Sequence, residues 1–329
     1  MQTRTDGLVE PWRGELRRGL ERLRRGEYGA AEAHFARAHR LAPDRAEVAF
    51  ALGRERLRQG DLDQAEQLLT AAWRRDPTLL SAGAFLARCV GLERRDHARA
   101  HAILDEARAH HGPAPLLAVV EAEILLDEGR VDEARRLAEE VAGSPAPDAA
   151  QAAARALLAR VHNHEGLARV EAGEPESALF AFRRAADLDP EWSAPHSNLG
   201  AAFEALGRDD RARAAYQRAL AIDPDSQTAL YNLARLLRRQ GEGRAALDLI
   251  EPAATAGGAD PDLLVLLAEL HAEAGARGPA EECLRRALAV APQHGAAKLH
   301  LADLLMRDGR YIEAAQLARE AQAAGRPPR

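Results

Sequence analysis

His97 and His101 stand four residues apart. On a helix that spacing puts two imidazoles on one face, the arrangement a zinc site uses. A solvated or capping pair is preferred there to a metal site. His162-Asn163-His164-Glu165 is the second candidate. Residues two apart on a helix point to different sides, so only His162 and Glu165 can meet, as a hydrogen-bonded pair rather than a catalytic one. Walker, dinucleotide, zincin, nucleophile-elbow and EF-hand motifs are all absent. Nothing reads as a strand. No general acid, base and nucleophile can be named together, so an enzyme is not expected, and neither is a metal or cofactor.

Composition narrows the field further. Lys and Arg total 45 against 51 Asp and Glu, a net charge of −6. With aromatics at only 4%, binding of nucleic acid through basic stripes and base stacking is not expected. Lys298 is the one lysine. Arg-rich runs such as Arg22, Arg24, Arg25 and Arg235, Arg238, Arg239 are interleaved with acids and read as solvated faces. Cys89 and Cys283 lie far apart and read as buried free thiols in a reducing compartment. The first twenty residues lack an apolar core, and the most apolar stretch, Leu263 to Leu270, is broken by Glu269. Neither a signal peptide nor a membrane span is expected, which makes a cytoplasmic location the default.

The elements that would position these residues announce themselves by repetition. Gly26, Gly60, Gly129, Gly173, Gly207, Gly241, Gly275 and Gly309 are each followed five residues later by alanine: Ala31, Ala65, Ala134, Ala178, Ala212, Ala246, Ala280 and Ala314. From Gly173 onward the step is 34 residues throughout. That period predicts a solenoid of helix–turn–helix units. The glycine closes the first helix in a left-handed conformation. The alanine lies where the two helices cross closely. A bulky residue follows (Phe35, Leu69, Phe182, Tyr216, Ile250, Leu284), and the second helix stops near Pro43, Pro77, Pro190, Pro224 or Pro292. Leu-Gly or Leu-Ala recurs in the first helix, as at Leu52-Gly53, Leu199-Gly200 and Leu233-Ala234.

In this pattern the chain resembles the tetratricopeptide repeat family. The unit Ser193–Ser226 carries Leu199, Gly200, Phe203, Gly207, Ala212, Tyr216, Ala219 and Pro224 on the family's signature positions. The resemblance covers nearly the whole chain, as units at about 12–45, 46–79, 80–114, 115–148, 159–192, 193–226, 227–260, 261–294 and 295–328. It implies an all-α fold, a right-handed α-solenoid of about nine units. Residues 1–11 read as an N-terminal extension. Two blocks of repeats, 12–147 and 148–328, are expected to be continuous. Arg95 stands where the third turn glycine should be, with Ala100 in phase. Ten extra residues lie between Gly129 and Gly173, read as a first helix lengthened at its start with Asp148 as N-cap. The tail from Gly325 is expected to fray.

The resemblance also implies which first-helix positions line the concave groove. In the first three units these include Arg13, Arg17, Arg24, Arg54, Arg58 and Arg88, with Phe50 and Phe85 among them. Arginine forks there suit the carboxylates of an acidic or C-terminal peptide; the alternative is that arginine is simply the polar residue this chain uses on helix surfaces. Asn198 and Asn232, 34 apart, hold a position where peptide-binding members place asparagine, with Tyr231, Arg235 and Arg239 nearby. An asparagine amide there can both donate to and accept from a peptide backbone. The chaperone-type dicarboxylate clamp is matched only in its middle, since Asn163, Leu167, Asp262 and Leu266 stand where its other residues would be. Toward the C-terminus Asp262, Glu269, Glu273 and Asp303 turn the groove acidic. A non-catalytic scaffold that binds a protein segment is expected. The alternatives are an accessory subunit positioning a separate enzyme and a self-assembling protein joined as a homo-oligomer through the C-terminal helix. At the helix crossing, Ala212→Leu or Ala246→Leu is expected to cost roughly 1–3 kcal/mol by overpacking. Urea unfolding measures it, and an unchanged midpoint would contradict the crossing.

Overall fold

The turn residues set the architecture. All eight repeat glycines have positive φ, between 67° and 81°. Each closes a first helix in the same way. At Gly26, for example, the glycine N–H donates to Leu23 O and the next N–H, of Glu27, donates to Arg22 O. That paired closure satisfies carbonyls the helix end would otherwise leave bare. The computed structural model describes residues 10–255 and 260–324. Most of the expected N-terminal extension, and the tail from Gly325, lie outside them.

Among the described residues there are eighteen α-helices and no strand. They pair as nine hairpins. The first four are α1 (Pro11–Arg24) with α2 (Tyr28–Leu41), α3 (Ala46–Arg58) with α4 (Leu62–Arg75), α5 (Leu80–Arg88) with α6 (His97–His111), and α7 (Pro115–Asp127) with α8 (Val131–Gly143). The next are α9 (Asp148–Glu171) with α10 (Pro175–Leu188), α11 (Ser193–Ala205) with α12 (Asp209–Ile222), and α13 (Gln227–Arg239) with α14 (Gly243–Thr255). The last are α15 (Pro261–Glu273) with α16 (Arg277–Val290) and α17 (Gly295–Arg307) with α18 (Tyr311–Ala324). The architecture is an α-solenoid of stacked hairpins, as expected. The chain divides into two compact units, Met1–Val161 and His162–Arg329, with the division inside α9. No helix among the described residues is long and apolar enough to cross a membrane.

In several hairpins a small residue on the first helix meets a large one on the second. A Cβ added at Gly19, Gly166 or Gly200 would come within 2.4 Å of the ring of Phe35, Phe182 or Tyr216. At Gly53 it would press on Leu68 and Leu69 at 3.0–3.1 Å. These positions lie seven residues before the turn and sixteen before the bulky residue. Where the bulky residue shrinks to Ile250 or Leu284, alanine (Ala234, Ala268) replaces the glycine. The opposed volumes keep the helices in close contact without a void. The turn alanines are buried throughout. Each proline of the predicted set follows its second helix by two residues, as Pro43 follows Leu41.

The third hairpin carries one residue too many, and the structure shows where it goes. Leu52 to Leu86 is 34 residues, but Gly60 to Arg95 is 35. Between α5 and the turn, Cys89–Glu93 winds as a π-helical turn. Such a turn absorbs a single-residue insertion while the helix continues. The closing bond lengthens to match, from Asp96 N–H to Val90 O. Arg95 takes the glycine's conformation with φ 56°, the one non-glycine residue with positive φ among the described residues. The lengthened α9 has 24 residues. Its capping differs from expectation. Pro147 O accepts from Gln151 N–H, so Pro147 holds the cap position and Asp148 is the first helical residue. There its carboxylate still meets the positive end of the helix dipole.

A left-handed arginine pays the Cβ–carbonyl clash that glycine avoids. Arg95→Gly is therefore expected to stabilise the protein by roughly 0.5–1 kcal/mol, net of glycine's extra chain entropy. Urea midpoints test this, and a destabilised variant would contradict it.

Candidate functional site

The first helices of successive hairpins lie side by side, and their contacts follow a rule. Side chains meet across neighbouring first helices at separations of 31 or 35 residues: Asn198 with Asn163, Arg235 and Arg239 with Glu204, Arg238 with Glu269 and Glu273, His300 with Glu269. The two separations are one repeat less three and one repeat plus one. They select residues four apart on the same helix face.

In the N-terminal unit this face is aromatic and basic. The rings of Phe50 and Phe85 meet edge-on at 5.6 Å and 77°. The guanidinium of Arg54 lies 6.0 Å from the Phe50 ring, and that of Arg58 lies 4.2 Å from the Tyr28 ring. Both arginines flank Glu55, whose side chain is buried. Arg58 Nε donates to Glu55 Oε2 at 2.9 Å. Arg54 Nη2 stops 3.6 Å from Glu55 Oε1 and has no hydrogen-bond partner. Arg88 Nε is 3.4 Å from Glu123 Oε2, an ion pair without a hydrogen bond. Arg13 pairs with Glu10 at 3.2 Å and stacks near Trp12. Arg17 and Arg24 are exposed.

The C-terminal unit is built differently. Asn198 Nδ2 donates to Asn163 Oδ1 at 2.8 Å, so the amide rung joins Asn198 to Asn163 rather than to Asn232. Asn232 is half-buried and Tyr231 packs against the core. Arg235 and Arg239, both half-exposed, converge on Glu204. Arg239 Nη1 donates to Glu204 Oε1 at 2.9 Å and its Nη2 to Asp209 Oδ1 at 2.8 Å. Arg235 reaches both Glu204 oxygens at 3.3 Å. Tyr216 OH donates to Glu204 Oε2 at 2.8 Å from a fully buried ring. Burial, and then the hydrogen bond to Glu204, push the Tyr216 phenol far above its usual range. Glu204 thus anchors two guanidiniums and a hydroxyl.

Further along, Arg238 binds Glu269 and Glu273, His300 binds Glu269, His294 binds Asp262, and Arg307 binds Asp303. Each acidic residue read from the sequence therefore has an arginine or a histidine beside it. A shallow 370 Å³ cleft opens there, with Ala268, Ala272 and Leu304 in its lining.

His97 and His101 meet carboxylates distant in sequence, and His162 meets one on its own helix. His97 Nε2 lies 2.9 Å from Asp127 Oδ2, and His101 Nε2 lies 2.9 Å from Glu128 Oε1. His162 Nδ1 is 2.9 Å from Glu165 Oε2. Among the described residues no three His, Cys, Asp or Glu side chains are grouped to hold a metal. Cys89 is buried, and desolvation raises its thiol pKa to about 11, which leaves it unreactive.

Sequence reasoning passed over Glu204 and set Asn163 aside as a departure from a clamp. The 31- and 35-residue separations are the signal that finds both.

Family models for the tetratricopeptide repeat match residues 22–89, 203–241 and 280–327. No curated protein matches the chain in sequence. Among solved structures, an IFIT1 monomeric mutant with Gppp-AAAA is 15% identical, covers 90% of this chain and 67% of its own, and superposes with a TM-score of 0.56. The human IFIT1 dimer with PPP-AAAA is 15% identical over 91% of this chain and 69% of its own, with a TM-score of 0.54. MamA is 19% identical over 48% of this chain and 93% of its own, with a TM-score of 0.42. The IFIT1 likeness is one of fold.

Removing the Glu204 carboxylate strands a buried phenol and releases two guanidiniums. Glu204→Ala is expected to cost about 1–3 kcal/mol. Tyr216→Phe should then add little in the Glu204→Ala background, because the two share one hydrogen bond. Additive losses in a double-mutant cycle would contradict the coupling.

Proposed function

This chain belongs to the tetratricopeptide repeat family, and on that premise we propose that it is a non-catalytic scaffold holding an extended partner segment against the first helices of its hairpins. The apolar sides of the helices are occupied by one another, so the first-helix face is the surface with uncommitted polar groups. One observation carries the reading. The Asn163–Asn198 bond fixes the Asn198 amide by one donor, and its oxygen accepts no hydrogen bond among the described residues. Asn232, two residues before Ala234 as Asn198 is before Gly200, makes no hydrogen bond among the described residues. Two asparagines at one height on neighbouring helices, with donor and acceptor capacity left over, suit a peptide backbone whatever its side chains. Half-exposed Leu167 and Val170 lie on α9 beside Asn163 and suit apolar side chains of the same segment.

The combined variant Asn198→Ala, Asn232→Ala, Arg235→Ala is expected to weaken binding of segments selected from a peptide array by about tenfold or more. Isothermal titration reads the change. Unaltered affinity in a folded triple variant would remove this site.

A further inference from the structure

We infer that the first-helix face of the N-terminal unit takes an acidic segment of a partner protein in which an aromatic or large aliphatic side chain stands among carboxylates. This rests on the scaffold reading above and names the chemistry of the partner.

Register is the first observation. Phe50 lies three residues before Gly53, and Phe85 two before Ala87. Asn163 and Asn198 hold the same two places before Gly166 and Gly200. The edge-to-face phenyl pair therefore occupies the slot that carries the amide pair in the C-terminal unit. An amide rung there suits a backbone, whereas a phenyl rung suits an apolar side chain.

The second observation is the charge one helical turn further on. Arg54 and Arg88 each stand one residue past the small position. Arg54 buries its Nη2 3.6 Å from Glu55, without an acceptor, and leaves about a quarter of its side chain exposed, while the half-exposed Arg88 has only the 3.4 Å ion pair to Glu123. Arg13, Arg17, Arg24 and Arg58 extend the basic face, opposed by Glu10, Glu47, Glu55 and Glu123. The local excess is positive, in a chain whose net charge is −6. The solvent-facing donors of such guanidiniums bind carboxylates in a fixed geometry. Phe50 and Phe85 pack edge to face and are half-buried, so they present no open pair of parallel faces on which bases could stack. The arrangement therefore favours an acidic peptide over a nucleic acid.

Fluorescence anisotropy of the full chain tests this with labelled probes. One is a peptide repeating Glu-Phe-Glu-Gly, the second has Gln for Glu, the third has Ala for Phe, and the fourth is an oligothymidylate. The Glu-Phe probe is expected to bind about tenfold tighter than either peptide control. Arg54→Gln with Arg88→Gln should erase the preference for Glu over Gln and keep the preference for Phe over Ala. Phe85→Ala should do the reverse. Should the arginine pair be needed for folding, salt titration of the unaltered chain serves: added salt must weaken the Glu probe and leave the Gln probe nearly unchanged. Equal binding of the Glu and Gln probes overturns the inference and leaves the scaffold reading standing. Tighter binding of oligothymidylate overturns it in favour of a polyanion site. If no probe binds, the inference also falls, and titration of array-selected segments against the Asn198 and Asn232 variants decides the scaffold reading separately.

Discussion

The close crossing of two helices at a residue without room for a larger side chain is the contact on which this molecule rests. In four hairpins that residue is glycine, and three of them admit not even a methyl group beside the opposing ring. The constraint couples volume on one helix to volume on the other: glycine faces a ring in three hairpins and Leu69 in a fourth, and alanine stands opposite Ile250 and Leu284. It also explains the composition. Small residues at the crossings let a chain with 4% aromatics bury its apolar surface in narrow seams between neighbours, not in one wide core. Stability is then a sum over hairpins and their interfaces.

Function follows from what the crossings leave over. Once each helix has its apolar side against a neighbour, the first helices present parallel slots whose heights are set by the repeat. The same slot holds a phenyl pair in one unit and an amide pair in the other. One turn away stand Arg54 and Arg88 in one unit and the arginines tied to Glu204 in the other. The repeat thus lets the chemistry on the first helices differ from hairpin to hairpin without altering the helices that carry it.

Much of this was legible in the residues themselves, and the reason is locality. A left-handed turn demands glycine, a tight crossing demands alanine, and a helix stop favours proline; each leaves its mark at one position. Arg95 could be placed in the turn by phase alone. The π-helical turn that makes room for it could not, because a single inserted residue has no side-chain signature. Asn198, Asn232, Phe50 and Phe85 stood out on the first helices by their place in the repeat. Their partners did not. Neighbouring first helices are offset, so Asn163 meets Asn198 at 35 residues and Glu204 meets Arg235 at 31, and neither separation equals the 34-residue period. The pairing of exposed arginines depends further on side-chain rotamers, which no spacing encodes.

Hydrogen–deuterium exchange of the chain with and without a saturating segment selected from a peptide array probes the central claim most directly. Added protection should fall on first helices, in α3, α5, α11 and α13, and leave the second helices α4 and α12 unchanged. Protection centred on the second helices, with the first helices exchanging as in the free chain, would contradict the account.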